Sequence, residues 1–357
     1  MDIRKATASY EAWMSRHIPT VTADLRYKHV EMAESPFAFM RATFYRWVQL
    51  WKDLCPEASR APDVLAVGDL HVENFGTWRD AEGRLIWGIN DFDETCSLPY
   101  TNDLIRLGAS ARLAIKEEHL SIRPRKACSL ILEGYSDGLR SEGRPFALGE
   151  EHIFLRDIAR SSLRDPVHFW KNMRSMPNFG VKLAADQQDA LELLLPEPGV
   201  SYQVKTRRAG LGSLGRRRLV AIASWCGGAV AREIKAALPS AAVWSGQAES
   251  ENIRYMDVLS EAVRVPDPFV RISGNWVVRR LAPDCSRIEI ASLSSTRDEA
   301  RLVHAMGYET ANVHLGTKTQ TAKIRQDLKK RKNNWLHDSA KTMANALMND
   351  WEVWRAS

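Results

Sequence analysis

Two short apolar runs, residues 64–67 and 85–89, each end in an acidic cluster, and this repeated arrangement constrains the fold more than any other feature of the chain. Runs of this length, rich in Val, Ile, Leu and Trp and closed by Gly, Asp and Asn, predict short buried strands that lead into loops. Functional side chains are concentrated in loops that a rigid scaffold positions. We therefore expect the chemistry of the protein in the two loops that follow these runs.

Carboxylate and amide side chains dominate both loops. Asp69 is followed five positions later by Asn74, and Asp91 and Asp93 flank Phe92. Asp69 can accept the proton of an attacking hydroxyl, and Asn74 and Asp91 offer the hard oxygen ligands that Mg²⁺ prefers when it also binds phosphates. A single acidic loop after a strand is often only a solvated turn. Two such loops favour one shared site for a metal ion and phosphate, as phosphoryl transfer requires.

The spacing in both loops resembles that of the aminoglycoside phosphotransferases and other small-molecule kinases of the protein-kinase-like superfamily. The segment GDLHVEN, residues 68–74, is similar to their catalytic loop, and INDFD, residues 89–93, is similar to their metal-binding motif. Residues 99–107 resemble the helix that follows, and the resemblance implies that Asp103 braces the catalytic loop. His71 is expected to support this loop by hydrogen bonds.

A second resemblance is closer. The segments SPFAFMR (residues 35–41), GDLHVENFG (68–76) and NDFDET (90–95) are similar to a bacterial family known as domain of unknown function 2252. That family is placed among the kinase-like folds, and the similarity is expected to run over most of the chain. It implies a fold and a site, and it names no substrate.

Composition and charge narrow the class of protein. A chain of 357 residues with 45% hydrophobic and 26% charged residues is typical of a globular protein of two lobes rather than a disordered or fibrous one. Five scattered cysteines without a C-x-x-C pair favour a reducing compartment over a disulfide framework or a zinc site. Without a membrane-length apolar run or a signal-peptide core, we expect a cytoplasmic protein with no membrane partner.

The net charge of +6 favours anionic partners, and a nucleotide fits it as well as nucleic acid does. The basic run at residues 323–332 is most simply a solvated helix face, so we expect no nucleic-acid partner.

Helical patterns predominate in the first half of the chain. Residues 36–54 are predicted to form one amphipathic helix capped by Ser35, and residues 100–118, 127–141 and pieces of 150–195 are predicted to be helical. The predicted core stripe of the first of these helices consists of Phe37, Met40, Phe44, Trp47 and Trp51.

Strand patterns begin beyond the Pro-Gly boundary at residues 196–199. Residues 202–208, 218–225 and 229–234 are predicted strands, and a hairpin is predicted from residues 269–273 and 275–281. A glycine loop (residues 210–215) joins the first two strands, and its glycines are Gly210, Gly212 and Gly215. A strand, a glycine loop and a second strand match the phosphate-covering loop of kinases, in which backbone N–H groups approach the phosphates.

Kinases also need a lysine on the third strand, held by a glutamate on the next helix. Lys235 lies at the end of the third predicted strand, after the glycine loop, where such a lysine is expected. A predicted helix at residues 245–263 contains Glu249 and Glu251, and Glu251 is the preferred partner of Lys235. Residues 282–284 suit a hinge, and residues 297–314 resemble the helix that leads from the hinge to the catalytic loop.

The order of these parts departs from the kinase pattern, because the glycine loop and Lys235 come after Asp69 and Asp91. Circular permutation explains this order and leaves a folded site unchanged. The alternative is that the glycine loop is a plain hairpin turn in a degenerate, kinase-like binding module.

These patterns together predict a bilobed, circularly permuted, kinase-like α+β fold that binds ATP and Mg²⁺. The predicted segments are a helical lobe at residues 1–196, a β-rich nucleotide lobe at 200–284 and returning helices at 285–357. The predicted site residues are Asp69 as the base, Asn74 and Asp91 with Asp93 as metal ligands, Gly210, Gly212, Ser213 and Gly215 over the phosphates, Lys235 fixed by Glu251, and His71 and Asp103 as supports. The predicted reaction is phosphoryl transfer to a hydroxyl group of a small molecule or a protein. A nucleotidyl (AMP) transferase and a non-catalytic nucleotide-binding protein are the alternatives.

Overall fold

Helices and three small antiparallel sheets make up the structure, a computed structural model that describes residues 1–149, 151–162, 165–285 and 296–356. The helices are α1 (Ile3–His17), α2 (Thr22–Glu34), α3 (Pro36–Ala42), α4 (Phe44–Leu54), α5 (Thr101–Lys116), α6 (Pro124–Arg140), α7 (Ile153–Ser162), α8 (Pro166–Ser175), α9 (Ala185–Glu192), α10 (Ala241–Trp244), α11 (Tyr255–Glu261), α12 (Thr296–His314), α13 (Thr321–Lys330) and α14 (Trp335–Arg355). The strands are β1 (Asp63–Ala66), β2 (Phe75–Arg79), β3 (Leu85–Ile89), β4 (Cys96–Pro99), β5 (Phe146–Ala147), β6 (Tyr202–Thr206), β7 (Arg218–Trp225), β8 (Gly228–Ala236), β9 (Val270–Ser273) and β10 (Trp276–Leu281). The predicted mixed α+β class is confirmed.

The largest sheet has five strands in the order β6-β7-β8-β10-β9, and all its neighbours are antiparallel. Its strands confirm those predicted from the sequence, including the hairpin of β9 and β10. Because side chains alternate along a strand, each face has its own character. One face is mostly apolar, although it includes Arg232 and Arg280, and packs against α9. The other face carries charged side chains, with Arg218 opposite Lys235 and Arg279 opposite Glu233.

Two smaller sheets position the acidic loops. Strand β1 pairs with β4, and β3 pairs with both β2 and β5. The two predicted buried strands are therefore confirmed as β1 and β3. Strand β2 was not predicted. Its five residues include a glycine, and only its pairing with β3, in which Gly76 lies opposite Gly88, identifies it as a strand.

The C-terminal helices pack against the N-terminal ones. Helix α14 contacts α5 and α4, and α12 lies along α6 at short range. A Cβ atom added to Gly134 would lie 1.9 Å from the carbonyl oxygen of His304, and one added to Gly307 would lie 2.1 Å from that of Ile131. Glycine is thus needed on both helices because their backbones touch.

The helix predicted for residues 36–54 is in fact two helices. The break falls at Thr43, whose hydroxyl donates to the Phe39 carbonyl 2.7 Å away and whose backbone leaves the helical region. All five residues of the predicted stripe are buried, and the Ser35 Oγ accepts from the N–H of Ala38, so the core stripe and the cap are confirmed.

The helix predicted for residues 245–263 is wrong over most of its length. Helix α10 ends at Trp244, and α11 begins only at Tyr255. Gly246, with φ of +72°, follows the end of the first helix, and the segment after it is mostly polar.

Some predicted segments extend beyond the described residues. Residues 286–295 and 357 of the predicted returning helices lie outside them, as do residues 150 and 163–164 of the predicted helical lobe. Within the described part of the chain, none of the helices is both long and apolar enough to cross a membrane.

Replacing Gly134 by Ala is expected to reduce the free energy of unfolding by about 3 kcal/mol, because the added methyl group would force α6 and α12 apart. The matched control is Gly180→Ala, where nothing lies within 4 Å of the added atom. This control is expected to stay within about 0.5 kcal/mol of the wild type. Urea unfolding measures both variants, and equal midpoints would contradict the close approach of the two helices.

Candidate functional site

One cleft of about 330 Å³ lies between the charged face of the five-stranded sheet and the two acidic loops. It brings together residues that are far apart in the sequence. Of the predicted site residues, those lining this cleft are Asp69, His71, Asn74, Asp91, Asp93, Gly210, Gly212 and Ser213. Lys235 is buried at the edge of this group, and Asp103 lies behind the first acidic loop.

The first acidic loop is held from behind by Asp103 at the start of α5. Its carboxylate accepts from the backbone N–H of Val67 at 2.7 Å and from that of Gly68 at 3.0 Å, and it lies 3.0 Å from Nε2 of His314. All of these atoms are buried, so the bonds are shielded from competing water. The direction in which the loop leaves β1 is therefore fixed.

The same loop is also held from within. The Oδ1 of Asn74 accepts from the N–H of His71 at 2.7 Å, and the Nδ1 of His71 accepts from the N–H of Glu73 at 3.2 Å. The carbonyl of Asn74 accepts from the N–H of Asn90 at 3.0 Å, which ties the first acidic loop to the second.

Asp69 faces the cleft and is anchored by one of its two carboxylate oxygens. The guanidinium of Arg106, from α5, donates twice to Oδ1, with the Nε donor at 2.7 Å. The other oxygen, Oδ2, would lie 3.4 Å from a Cβ atom built on Gly212, so it faces the glycine loop. Burial raises the pKa of Asp69 to about 7, against the opposing effect of the Arg106 charge.

Lys235 and the second acidic loop form ion pairs. The Nζ of Lys235 contacts both oxygens of Asp93 and lies 3.6 Å from Oδ1 of Asp91. Arg216 lies 3.5 Å from Asp93 and 2.8 Å from Glu94. Burial lowers the pKa of Lys235, while the two aspartates oppose this change.

The glycine loop covers Asp69, and its backbone adopts conformations that favour glycine. Gly210 has φ of +72° and Gly215 has φ of +96°, which side-chain-bearing residues rarely adopt. Between them, a Cβ atom on Gly212 would lie 2.9 Å from the carbonyl of Arg41 in α3. The loop is thus pressed against the helical part of the molecule.

Residues 1–33, for which the sequence suggested no role, hold this loop in place. The Nζ of Lys28 donates to the carbonyl of Gly212 at 3.1 Å, and the N–H of Val21 donates to the carbonyl of Gly215 at 2.9 Å. Lys28 is buried, and burial lowers its pKa to about 8. Helix α2 is therefore part of the site.

The two glutamates predicted to hold Lys235 lie elsewhere. Glu249 and Glu251 are both exposed and precede α11 in a segment without regular structure. Among the described residues, the ion-pair partners of Lys235 are Asp91 and Asp93. The buried glutamate on this face is Glu233, two positions before Lys235 on the same strand.

Sequence reasoning missed the arginines of the site. Arg106 follows Asp103 by three positions on a predicted helix, so the two side chains lie on the same face of that helix. This spacing could have indicated that Arg106 also contacts the first acidic loop. Arg216 and Glu94 gave no such signal, because their ion pair joins segments that are distant in the chain.

The donor groups fit a Mg²⁺ ion that is held largely by phosphate oxygens. Among the described residues, no three His, Cys, Asp or Glu side chains come together as a protein-made metal centre does. Mg²⁺ bound with substrate phosphates needs only one or two protein carboxylates. Asn74 and Asp91 offer oxygen ligands on two loops that are hydrogen-bonded to each other.

Comparison with known proteins finds a family that is similar to part of the chain. Residues 20–151 match the family described as "Uncharacterized protein conserved in bacteria (DUF2252)". The expected resemblance to this family is thus confirmed over that range, which contains both acidic loops and Arg106 and ends before the glycine loop. Neither a curated protein nor a solved structure matches the chain.

Replacing Asp103 by Ala is expected to reduce the free energy of unfolding by about 3–5 kcal/mol, because the N–H groups of Val67 and Gly68 would be left buried without an acceptor. Urea unfolding followed by circular dichroism measures the loss. The control is Asp157→Ala, an exposed aspartate of α7, which is expected to change stability by less than about 0.5 kcal/mol. Similar losses in the two variants would argue against the bracing role of Asp103.

Proposed function

We propose that this protein is an ATP- and Mg²⁺-dependent phosphotransferase with a bilobed, circularly permuted, kinase-like fold. The observation that carries the proposal is the meeting of three distant segments in one cleft: the glycine loop lies over Asp69, and Lys235 contacts Asp91 and Asp93. A phosphoryl group between these segments would meet a base, a cation and backbone N–H donors. The acceptor is a hydroxyl group of a small molecule or a protein.

Asp69 is suited to act as the base. Its Oδ1 is fixed by Arg106, which leaves Oδ2 to accept the acceptor's proton while the acceptor oxygen bonds to the γ-phosphorus and the bond from that phosphorus to ADP breaks. A pKa of about 7 lets this carboxyl both accept and release a proton near neutral pH.

Lys235 and the glycine loop are suited to hold the phosphates. The Lys235 ammonium pairs with Asp93, and phosphate oxygens would replace part of that pairing. Mg²⁺, held by Asn74 and Asp91 with Asp93 nearby, would neutralise the charge of the phosphates.

The packing of the chain supports the permuted order. Helices α12 and α14 pack against α6 and α5, so the segments before and after the five-stranded sheet form one helical unit. The sheet then faces this unit across the cleft, with its third strand, β8, carrying Lys235. The five cysteines are all free thiols, which supports the proposal of a cytoplasmic location.

ATP with Mg²⁺ is expected to raise the midpoint of thermal unfolding, because a ligand at about 100 times its dissociation constant adds about 2.7 kcal/mol to the native state. Lys235→Ala and Asp91→Ala are expected to abolish the rise, since each removes one half of the phosphate and metal site. The control is Lys329→Ala, an exposed lysine of α13, which is expected to keep the full rise. A Mg²⁺-independent rise, or one that survives in both site variants, would count against the proposed cleft.

Phosphate release from ATP, with water as the acceptor, is expected to increase with pH and to reach half of its maximum near pH 7. The reason is that Asp69 acts as a base only when ionised, and its pKa is about 7. Arg106→Gln is expected to move the midpoint to higher pH, because the arginine charge lowers this pKa.

Asp69→Asn provides the control for the pH profile. This variant is expected to lose about 100-fold in rate or more while it still binds ATP. The mass of any modified acceptor separates transfer of a phosphoryl group from transfer of AMP. A wild-type rate that is constant between pH 5 and 9 would exclude Asp69 as the base.

A further inference from the structure

Three arginines, two from strands β7 and β10 and one from the segment just after β6, converge on one buried carboxylate in the wall of the cleft. The Oε1 of Glu233 accepts from Nη1 of Arg218 at 2.9 Å and from Nε of Arg279 at 2.8 Å, while its Oε2 accepts from Nη1 of Arg207. Glu233 is completely buried, and Arg207, Arg218 and Arg279 all line the cleft. We refer to these three residues as the arginine group.

The charges of this arrangement do not balance. Three guanidinium groups share the single negative charge of Glu233, which leaves an excess of two positive charges. Nearby, Lys235 pairs with Asp91 and Asp93. Arg216 pairs with Asp93 and Glu94. These two cations and three carboxylates offset one of the two excess charges and leave one. A purely structural ion pair would need one arginine, because additional buried cations cost free energy.

The arginine group has donors that Glu233 does not use. The Nε of Arg218 is buried and has no hydrogen-bond partner among the described residues. The side chains of Arg207 and Arg279 are 19% and 26% exposed in the cleft, although both are anchored by Glu233. Anchored guanidinium groups are well suited to bind phosphate, since their planar donors are already oriented.

The arginine group is continuous with the glycine loop and Lys235. The Nη2 of Arg218 donates to the Oγ of Ser213 at 2.6 Å, and Arg218 lies directly opposite Lys235 in the register of the sheet. Arg279 lies opposite Glu233 on the next strand. The cationic surface therefore extends beyond Lys235 along the sheet and offers several charged donors to a chain of phosphates. Apolar and aromatic side chains, among them Phe169, Tyr255 and Leu281, line other parts of the cleft.

We propose that the arginine group binds phosphoryl groups, so that the cleft recognises its ligand chiefly through a polyphosphate chain. This inference rests on the proposed function for the identity of the site and adds the class of ligand that the site prefers. Inorganic tripolyphosphate is the simplest probe of this ligand class, because it carries the phosphates of ATP without the nucleoside.

Titration calorimetry of the full chain with Mg²⁺ tests the inference. Tripolyphosphate is expected to bind with a dissociation constant within about threefold of that of ATP, and a large excess of adenosine is expected not to displace it. Arg207→Gln and Arg279→Gln are each expected to weaken tripolyphosphate binding by about tenfold to a hundredfold, since each removes a charged hydrogen-bond donor.

Two further variants keep the result specific. Arg271→Gln changes an exposed arginine on β9 of the same sheet and is expected to leave the affinity unchanged. Arg279→Lys keeps the charge and is expected to lose less affinity than Arg279→Gln, which a mere loss of folding would not produce.

The possible failures separate the inference from the proposed function. If ATP binds and adenosine competes with it while tripolyphosphate does not bind, the inference is overturned and the nucleotide site stands. If tripolyphosphate binds and the glutamine variants of Arg207 and Arg279 bind it as well as the wild type does, the inference is also overturned. If tripolyphosphate binds as expected but ATP yields no transferred phosphate, the anion site stands and the phosphotransferase proposal falls.

Discussion

The carboxylate of Asp103 is the contact on which the geometry of the cleft most depends. It joins the end of β1, the start of α5 and, through His314, the end of α12, so that one buried group fixes segments from both ends of the chain. Without it, the turn at Gly68 would have two buried N–H donors and no acceptor. The orientation of Asp69 follows from this contact, because Arg106 projects from the same helix one turn further on.

Three acidic side chains of the cleft form ion pairs with cations. Asp69 pairs with Arg106, Asp93 with Lys235, and Glu94 with Arg216. Each pair joins the two sides of the cleft or braces one side. Burial raises the pKa of Asp69 to about 7 and also raises that of Glu94. At Asp69 the single arginine contacts one oxygen, so the ionised form is desolvated and only partly compensated.

The sequence predicted the strands and the acidic loops well, because short apolar runs that end in Gly and Asp are local signals. Lys235 and the glycine loop were placed by their order along a β-rich segment, which is also local information. The partner of Lys235 was predicted to be Glu251, whereas the structure pairs it with Asp91 and Asp93. That pairing is a tertiary contact across 142 residues, and no periodicity or cap in the chain encodes it.

The contribution of the N-terminal helices could not be predicted for the same reason, yet it determines how the glycine loop can move. Lys28 and Gly212 are separated by 184 residues, and Val21 holds the other end of the loop at Gly215. For the loop to lift away from Asp69, both hydrogen bonds must break, and so must the contact of Leu25 with Gly215. The buried ammonium of Lys28 makes this opening costly, since it would lose its carbonyl partner. The glycine loop of this protein is thus a fixed wall of the cleft as long as α2 stays in place.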